Sequence, residues 1–87
     1  MAAESGPVPQ DTDLVRHAWA ELSGVYEGGR LASLRIESDG RNPGGAPEWC
    51  LRNYGFVGAS WPGQAGATLE PKRPVRLRYV VTLRDLP

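Results

Sequence analysis

The chain has 87 residues, and its ten Lys and Arg residues are balanced by ten Asp and Glu residues. This length fits one domain or part of one, and zero net charge argues against a nucleic-acid partner held by electrostatic attraction. Apolar residues make up 40% of the chain, too many for a disordered protein, yet no apolar run is long enough to cross a membrane.

The first residues are interpreted as a flexible tail covering 1–12. The segment MAAESGPVPQ contains two prolines, one glycine and few apolar side chains, a composition typical of a mobile terminus. It also lacks the basic and apolar regions of a secretory signal, so we expect a cytoplasmic protein. The remaining residues, 13–87, are expected to form the folded part.

Residues 13–22 fit either a helix or a strand. Apolar side chains recur at helical spacing, with acidic residues that could cap the start and Gly24 at the end: Leu14, Val15, Ala18, Trp19 and Leu22. The same segment also reads as a strand with Val15, His17 and Trp19 on one face. The local pattern favours the helix.

The middle of the chain carries strand and turn patterns. Gly28-Gly29 predicts a tight turn between two strands, and residues 31–37 alternate between apolar and polar side chains. Residues 38–47 have the composition of a turn. Residues 49–57 predict a strand with a bulge or close approach at Gly55, 58–66 a loop, and 67–70 a short strand.

The clearest strand pattern covers residues 75–84. Alternate residues form an apolar face, and the intervening positions are mostly Arg and Thr: Val75, Leu77, Tyr79, Val81 and Leu83 against Arg76, Arg78, Thr82 and Arg84. Four or five short strands at even spacing predict a mainly β protein, an antiparallel β-sandwich.

Catalytic and metal-binding patterns are weak. Cys50 is the single cysteine and His17 the single histidine, so an intrachain disulfide or a four-ligand zinc site cannot form from these residues alone. On a helix, Asp13 and Glu21 would flank His17, an arrangement better explained as an exposed ion cluster than as an acid–base pair. We therefore predict no catalytic residues, no metal and no cofactor.

Aromatic residues offer one alternative function. Trp61 lies in a Gly- and Pro-rich loop, and Arg52 and Tyr54 are close to it in sequence. Exposed aromatic rings beside polar groups can stack on sugar rings, so a small carbohydrate-binding module is a second hypothesis.

Four blocks of sequence resemble a known family. WAELSG at 19–24, DGRNP at 39–43, PEWCLRNYG at 47–55 and the closing LRY at 77–79 occur in the order seen in the C-terminal third of the bacterial PmoA-like family. That family is commonly labelled "methane oxygenase PmoA". The resemblance covers roughly residues 16–85, and its most specific part is the Asn-Pro…Pro-x-Trp-x-x-Arg-x-Tyr-Gly run.

The resemblance implies that residues 13–87 are the C-terminal part of a larger, supersandwich-like β-sandwich. It favours the strand over the helix for 13–22, and it implies ligand-binding roles for Asn42, Trp49, Arg52 and Tyr54, to which the aromatic pattern adds Trp61. Family members are about three times longer and carry a His-rich segment that is absent from this sequence. The oxygenase label therefore does not imply activity here.

The expected function is that of a truncated PmoA-like protein without catalytic activity of its own. The expected partners are an upstream polypeptide that completes the sandwich, or further copies that associate through sheet edges. A carbohydrate ligand belongs to the alternative hypothesis, and we expect neither nucleic acid nor membrane as a partner.

Overall fold

The computed structural model describes residues 1–86, and these form two antiparallel β-sheets that pack face to face. The first sheet has five strands in the order β2-β1-β4-β5-β8, and the second has three in the order β3-β6-β7. The strands are β1 (Ala2–Ala3), β2 (Gly6–Pro7), β3 (Thr12–Arg16), β4 (Trp19–Tyr26), β5 (Arg30–Ser38), β6 (Glu48–Arg52), β7 (Phe56–Ser60) and β8 (Tyr79–Leu86). The predicted antiparallel, sandwich-like β fold is therefore confirmed.

The hairpin of β4 and β5 is the central unit of the first sheet. Its register runs from Trp19 opposite Glu37 to Tyr26 opposite Arg30 without a break. The connection is a short turn over Glu27–Gly29 in which Gly28 and Gly29 have φ angles of 76° and 75°. Only glycine adopts this left-handed region at low cost, which is why the predicted turn forms here.

The core lies between one end of the first sheet and the inner face of the second. Ala3 and Ala20 are opposite each other in the first sheet, and both contact the cluster that contains the fully buried Trp49 and Leu51 of β6. Ile36 of β5 and Val57 of β7 pack at its margin. Each of these side chains occupies the inward position of its strand, as the period of two requires.

The N-terminal segment departs from the expected flexible tail over 1–12. Ala3 is 1% exposed and Val8 7% exposed, and β1 pairs with β4 as well as with β2. The small side chain of Ala3 fits against the core, and the backbone of β1 completes the open edge of β4. The composition of the segment does not predict this pairing, because the open edge belongs to β4, nearly twenty residues further along the chain.

Residues 13–22 form strands, as the family resemblance implies and against the local helical pattern. They contribute to two strands in different sheets, β3 and β4, with a break at His17 and Ala18. The N–H of His17 donates to the carbonyl of Pro47, and Trp49 Nε1 donates to the carbonyl of His17 at 2.7 Å. These long-range bonds outweigh the weak helical propensity of the segment.

Two further strand predictions are corrected. Residues 49–57 contain a hairpin turn over 53–55 between β6 and β7, so Gly55, with φ 116°, lies in a turn and not in a bulge. Residues 67–70 form no strand and contribute one isolated bridge, between Glu70 and Arg73. The predicted strand over 75–84 is present but runs over Tyr79–Leu86.

Candidate functional site

The apolar face of the first sheet is only half covered by the second sheet. Beyond Ala20 and Ile36, the same face continues with Leu22, Leu34 and Leu83, because Leu22 pairs with Leu34 and Leu34 pairs with Leu83. The second sheet does not cover this half, and Leu83 is 72% exposed. Leu22 and Leu34 are half-buried on this part of the face. An apolar patch at the surface of a sheet marks a candidate binding surface.

A cleft of about 660 Å³ lies over this uncovered half. Its floor consists of Leu22, Leu34 and Leu83, and the β6–β7 turn, with Tyr54 at its tip, forms one wall. The volume is in the range of ordinary ligand sites. We take this cleft as the candidate functional site.

Polar groups lie on the rim of the cleft. The hydroxyl of Tyr26 donates to a carboxylate oxygen of Asp85 at 2.7 Å, which ties the end of β4 to the end of β8. This hydrogen bond to a carboxylate raises the pKa of Tyr26, because loss of the phenolic proton would place two negative charges side by side. Tyr26 therefore remains a neutral donor at ordinary pH.

The opposite face of the same sheet is charged. Glu21 accepts hydrogen bonds from Arg35 at 3.1 Å and from Arg84 at 3.4 Å, and its side chain is 12% exposed. Arg35 also lies over the ring of Trp19, 3.9 Å from the centroid. Burial alone would raise the pKa of Glu21, but the hydrogen bond and positive charge of Arg35, with smaller contributions from Ser33 and Arg84, outweigh it and lower that pKa. The charged side chains of this face pair with one another, and these pairs stabilise the sheet.

Asn42 joins the 38–47 turn to the start of β8. Its side chain donates to the carbonyl of Arg78 at 2.8 Å and accepts from the N–H of Arg78 at 2.8 Å, so the amide imitates a paired strand residue. A second hydrogen goes to the hydroxyl of Ser38. Asn42 is 7% exposed, and its amide is fully engaged within the protein.

The five predicted ligand-binding residues do not form one surface. Trp49 is fully buried, and Arg52 donates to the carbonyl of Thr12 at 2.8 Å and lies 3.9 Å from Asp13. Trp61 donates to the carbonyl of Pro43, near Asn42 and away from the β6–β7 turn. Tyr54 alone borders the cleft, and it is 82% exposed.

Sequence reasoning missed most of the cleft. The alternation in β5 and β8 correctly placed Leu34 and Leu83 on apolar faces. A pattern of this kind cannot tell whether a second layer covers the face, because that depends on how many strands the other sheet contributes. Tyr26 and Asp85 had no sequence signal, since 59 positions separate them.

His17 does not form the ion cluster considered for a helix. It lies between β3 and β4 and is 6% exposed, while Asp13 contacts Arg52 and Glu21 binds Arg35 and Arg84. Within residues 1–86, no group of three or more His, Cys, Asp or Glu side chains is close enough to hold a metal ion. The same residues contain no helix of the length and apolarity that crossing a membrane requires.

Comparison with known proteins gives no relative from which a function could be transferred. The chain matches no family model. It also matches no curated protein and no solved structure. A functional assignment therefore rests on the geometry of the cleft and of the sheet edges.

Proposed function

We propose that this chain is a non-catalytic β-sandwich domain that acts by binding another polypeptide over the cleft. The observation that carries the proposal is the exposure of Leu83, at 72%, on the same sheet face as the buried Ala20. Sheets of this kind bury an apolar face against a second layer about 10 Å away. The cleft is the continuation of the existing interface between the sheets, so the missing layer has the chemistry of the layer already present: apolar strand residues.

The occupant that this proposal names is an upstream polypeptide that completes a larger sandwich. The resemblance to the C-terminal third of the PmoA-like family supports this choice, because it implies a sandwich with more strands than residues 1–86 supply. A cytoplasmic location forms part of the proposal. The free, half-buried thiol of Cys50 is compatible with a reducing compartment.

The first test measures whether the cleft is an apolar binding surface. The dye anilinonaphthalene sulfonate fluoresces when it binds exposed apolar surface, and we expect the isolated chain to enhance its emission. Leu83→Asn should reduce that enhancement at least twofold. Leu69→Asn is a matched control, because Leu69 is 70% exposed but lies in the 61–78 loop. Equal emission from the wild type and Leu83→Asn would refute the assignment of the cleft.

The second test concerns the occupant. The chain is co-expressed with the polypeptide encoded by the preceding reading frame, and the complex is isolated through a tag on that polypeptide. We expect a one-to-one complex that Leu83→Asn weakens and Leu69→Asn leaves intact. If the two polypeptides do not co-purify, or if both variants behave alike, the proposed occupant is wrong.

A second candidate function is carbohydrate binding at the mouth of the cleft. The exposed ring of Tyr54 lies beside Asn53, and the carboxylate of Asp85 and the hydroxyl oxygen of Tyr26 supply acceptors on the same cleft. A sugar ring could stack on Tyr54 while its hydroxyls bind these groups. The three leucines of the floor favour the polypeptide, since they offer a sugar no hydrogen bonds.

Calorimetric titration with neutral oligosaccharides tests this second function. Binding at millimolar sugar that is lost in Tyr54→Ala and kept in Tyr54→Phe would support it. If the wild-type protein gives no heat of binding, or if Tyr54→Ala gives the same heat as the wild type, carbohydrate binding at this site is refuted.

A further inference from the structure

The outer edge of β8 is open. Within residues 1–86, β8 pairs with β5 alone, from Tyr79 opposite Ser38 to Leu86 opposite Leu31. Val80, Val81 and Leu83 are all more than half exposed. An open edge of this length is a template for another strand.

The backbone groups on this edge are identifiable. The carbonyl of Arg78 accepts from the N–H of Asp39, on the β5 side. In an antiparallel ladder the backbone groups alternate in direction. The even-numbered residues of β8 therefore point their N–H and C=O groups towards β5, and Tyr79, Val81, Leu83 and Asp85 point theirs outwards.

The other sheet edges carry features that discourage pairing. β2 has two residues and ends at Pro7, which has no N–H. β3 has a register shift between Thr12 and Val15, and Leu14 within it has a φ of 58°. β7 has five residues, against eight in β8. Short, irregular or proline-containing edges resist strand addition, and β8 has none of these protections.

We propose that the outer edge of β8 binds the β8 strand of a second copy of this chain, antiparallel and centred on Thr82. The proposal goes beyond the binding of an upstream polypeptide, because it concerns the edge of the first sheet and not the face that carries the cleft. The pairing would join two five-stranded sheets into one of ten strands.

The register follows from the side chains. Centred on Thr82, the pairing places Val81 of one copy opposite Leu83 of the other, twice, on the apolar face. The backbone N–H and C=O groups of both residues point away from β5 and towards the second copy, so each such pair exchanges two hydrogen bonds. Directly opposed apolar side chains also stabilise a sheet.

The two neighbouring registers are less favourable. Centring the pair on Val81 places Arg78 opposite Arg84 of the second copy, and like charges directly opposite each other are destabilising. Centring it on Leu83 places Val81 opposite Asp85, a carboxylate against an apolar side chain. The Thr82-centred register also places Val80 opposite Arg84, on the charged face, but of the three registers it alone pairs Val81 with Leu83 and opposes no like charges.

Sedimentation velocity on the full chain tests the pairing. We expect a dimer at submillimolar concentration, and Val81→Pro should weaken it about tenfold or more, because it removes an outward N–H on each copy while leaving the bonds to β5 in place. Val81→Thr is the matched control, since it retains the N–H and should remain dimeric. A monomeric wild type, or a dimer unaffected by Val81→Pro, would overturn the proposal.

Cross-linking provides a test that does not depend on how well the proline variant folds. In a Cys50→Ala background, Thr82→Cys should form an intermolecular disulfide, because the two copies of residue 82 face each other across the two-fold axis in a non-hydrogen-bonded pair, where Cα atoms are about 4.5 Å apart. Val80→Cys and Arg84→Cys should each fail alone and cross-link when mixed. Efficient cross-linking of Val80→Cys alone would contradict the register.

These outcomes distinguish pairing through the outer edge of β8 from binding at the cleft. If the wild type is monomeric but Leu83→Asn still reduces dye binding, the second copy is excluded and the proposed binding face stands. If Leu83→Asn abolishes a dimer that Val81→Pro preserves, the copies meet through the cleft, and the edge pairing is wrong.

Discussion

At the scale of single residues, Trp49 contributes most to the core. It is fully buried, and its Nε1 group donates to the carbonyl of His17, which lies between β3 and β4. One side chain thus fills the space between the sheets and fixes the point where the chain passes from one to the other. A small core depends strongly on one residue of this size.

Replacing Trp49 should therefore destabilise the protein severely. We expect Trp49→Ala to lower the free energy of unfolding by about 3–5 kcal/mol. Trp49→Phe keeps most of the volume but leaves the His17 carbonyl without its donor, which costs about 1–3 kcal/mol. Urea denaturation followed by circular dichroism measures both. Tyr54→Ala is the control, and a loss as large as that of Trp49→Phe at this exposed position would contradict the assignment.

The charged face of the first sheet leads to a prediction about how stability depends on pH. The lowered pKa of Glu21 means that its contribution to stability is complete above its ordinary value of 4.5 and is lost as the pH falls through the lowered pKa. We expect Glu21→Gln to be less stable than the wild type at neutral pH and to lose less stability on acidification. Thermal melts between neutral and acidic pH measure this.

The control for this prediction is Glu37→Gln, which makes the same chemical change on a side chain that is 45% exposed and 4.0 Å from Arg35. It should reproduce the wild-type dependence on pH. If Glu21→Gln shows the same acid-induced loss as the wild type, Glu21 is not the group whose protonation weakens the sheet.

At the scale of elements, the β4–β5 hairpin depends on its turn. Gly28→Ala places a side chain at a φ of 76°, and we expect a loss of about 1–2 kcal/mol. Gly24→Ala is a matched control within β4, where an added Cβ meets nothing within 4 Å and φ is not positive. It should be neutral or slightly stabilising. Chemical denaturation compares the two, and equal losses would show that the turn conformation is not responsible.

Strand predictions succeeded where the pattern was local. The alternation in β5 and the glycine pair before it needed only neighbouring residues, and the structure confirms both. The start of β8 depended on a distant group, because the amide of Asn42 takes the position of a strand partner at Arg78, just before Tyr79. Such a contact leaves no trace in the local pattern.

The candidate site was predictable only in part, for the same reason. Tyr54 was identified from its type and position, and it does border the cleft. Trp49 and Asn42 were expected to bind a ligand because of the family resemblance, but the fold uses them for packing and for pairing with Arg78. Residue type shows what a side chain is able to do, whereas burial decides whether a ligand reaches it.

At the scale of the whole molecule, the shape is extended. The radius of gyration over Cα atoms is 14.5 Å, and the principal extents are 49 × 23 × 19 Å. A compact chain of this length would have a radius of gyration of about 12 Å. The accessible surface of 6153 Å² is likewise larger than the roughly 5,000 Å² expected for this mass.

Small-angle X-ray scattering should detect this shape. We expect the Val81→Pro variant, studied at low concentration to avoid association, to have a radius of gyration close to 14.5 Å. A value near 12 Å would mean that the sheets close over the leucines in solution, and the cleft would then not be a binding surface.

The 61–78 loop is tied to the sheets mainly at its two ends. Trp61 and Gln64 bond to Pro43 and Glu48, Arg78 bonds to Asn42, and residues 64–76 between them are exposed throughout. A segment held in this way tolerates added sequence. An affinity tag or a fluorescent reporter could therefore be inserted near residue 68, leaving both termini of the polypeptide unmodified for binding and sedimentation measurements.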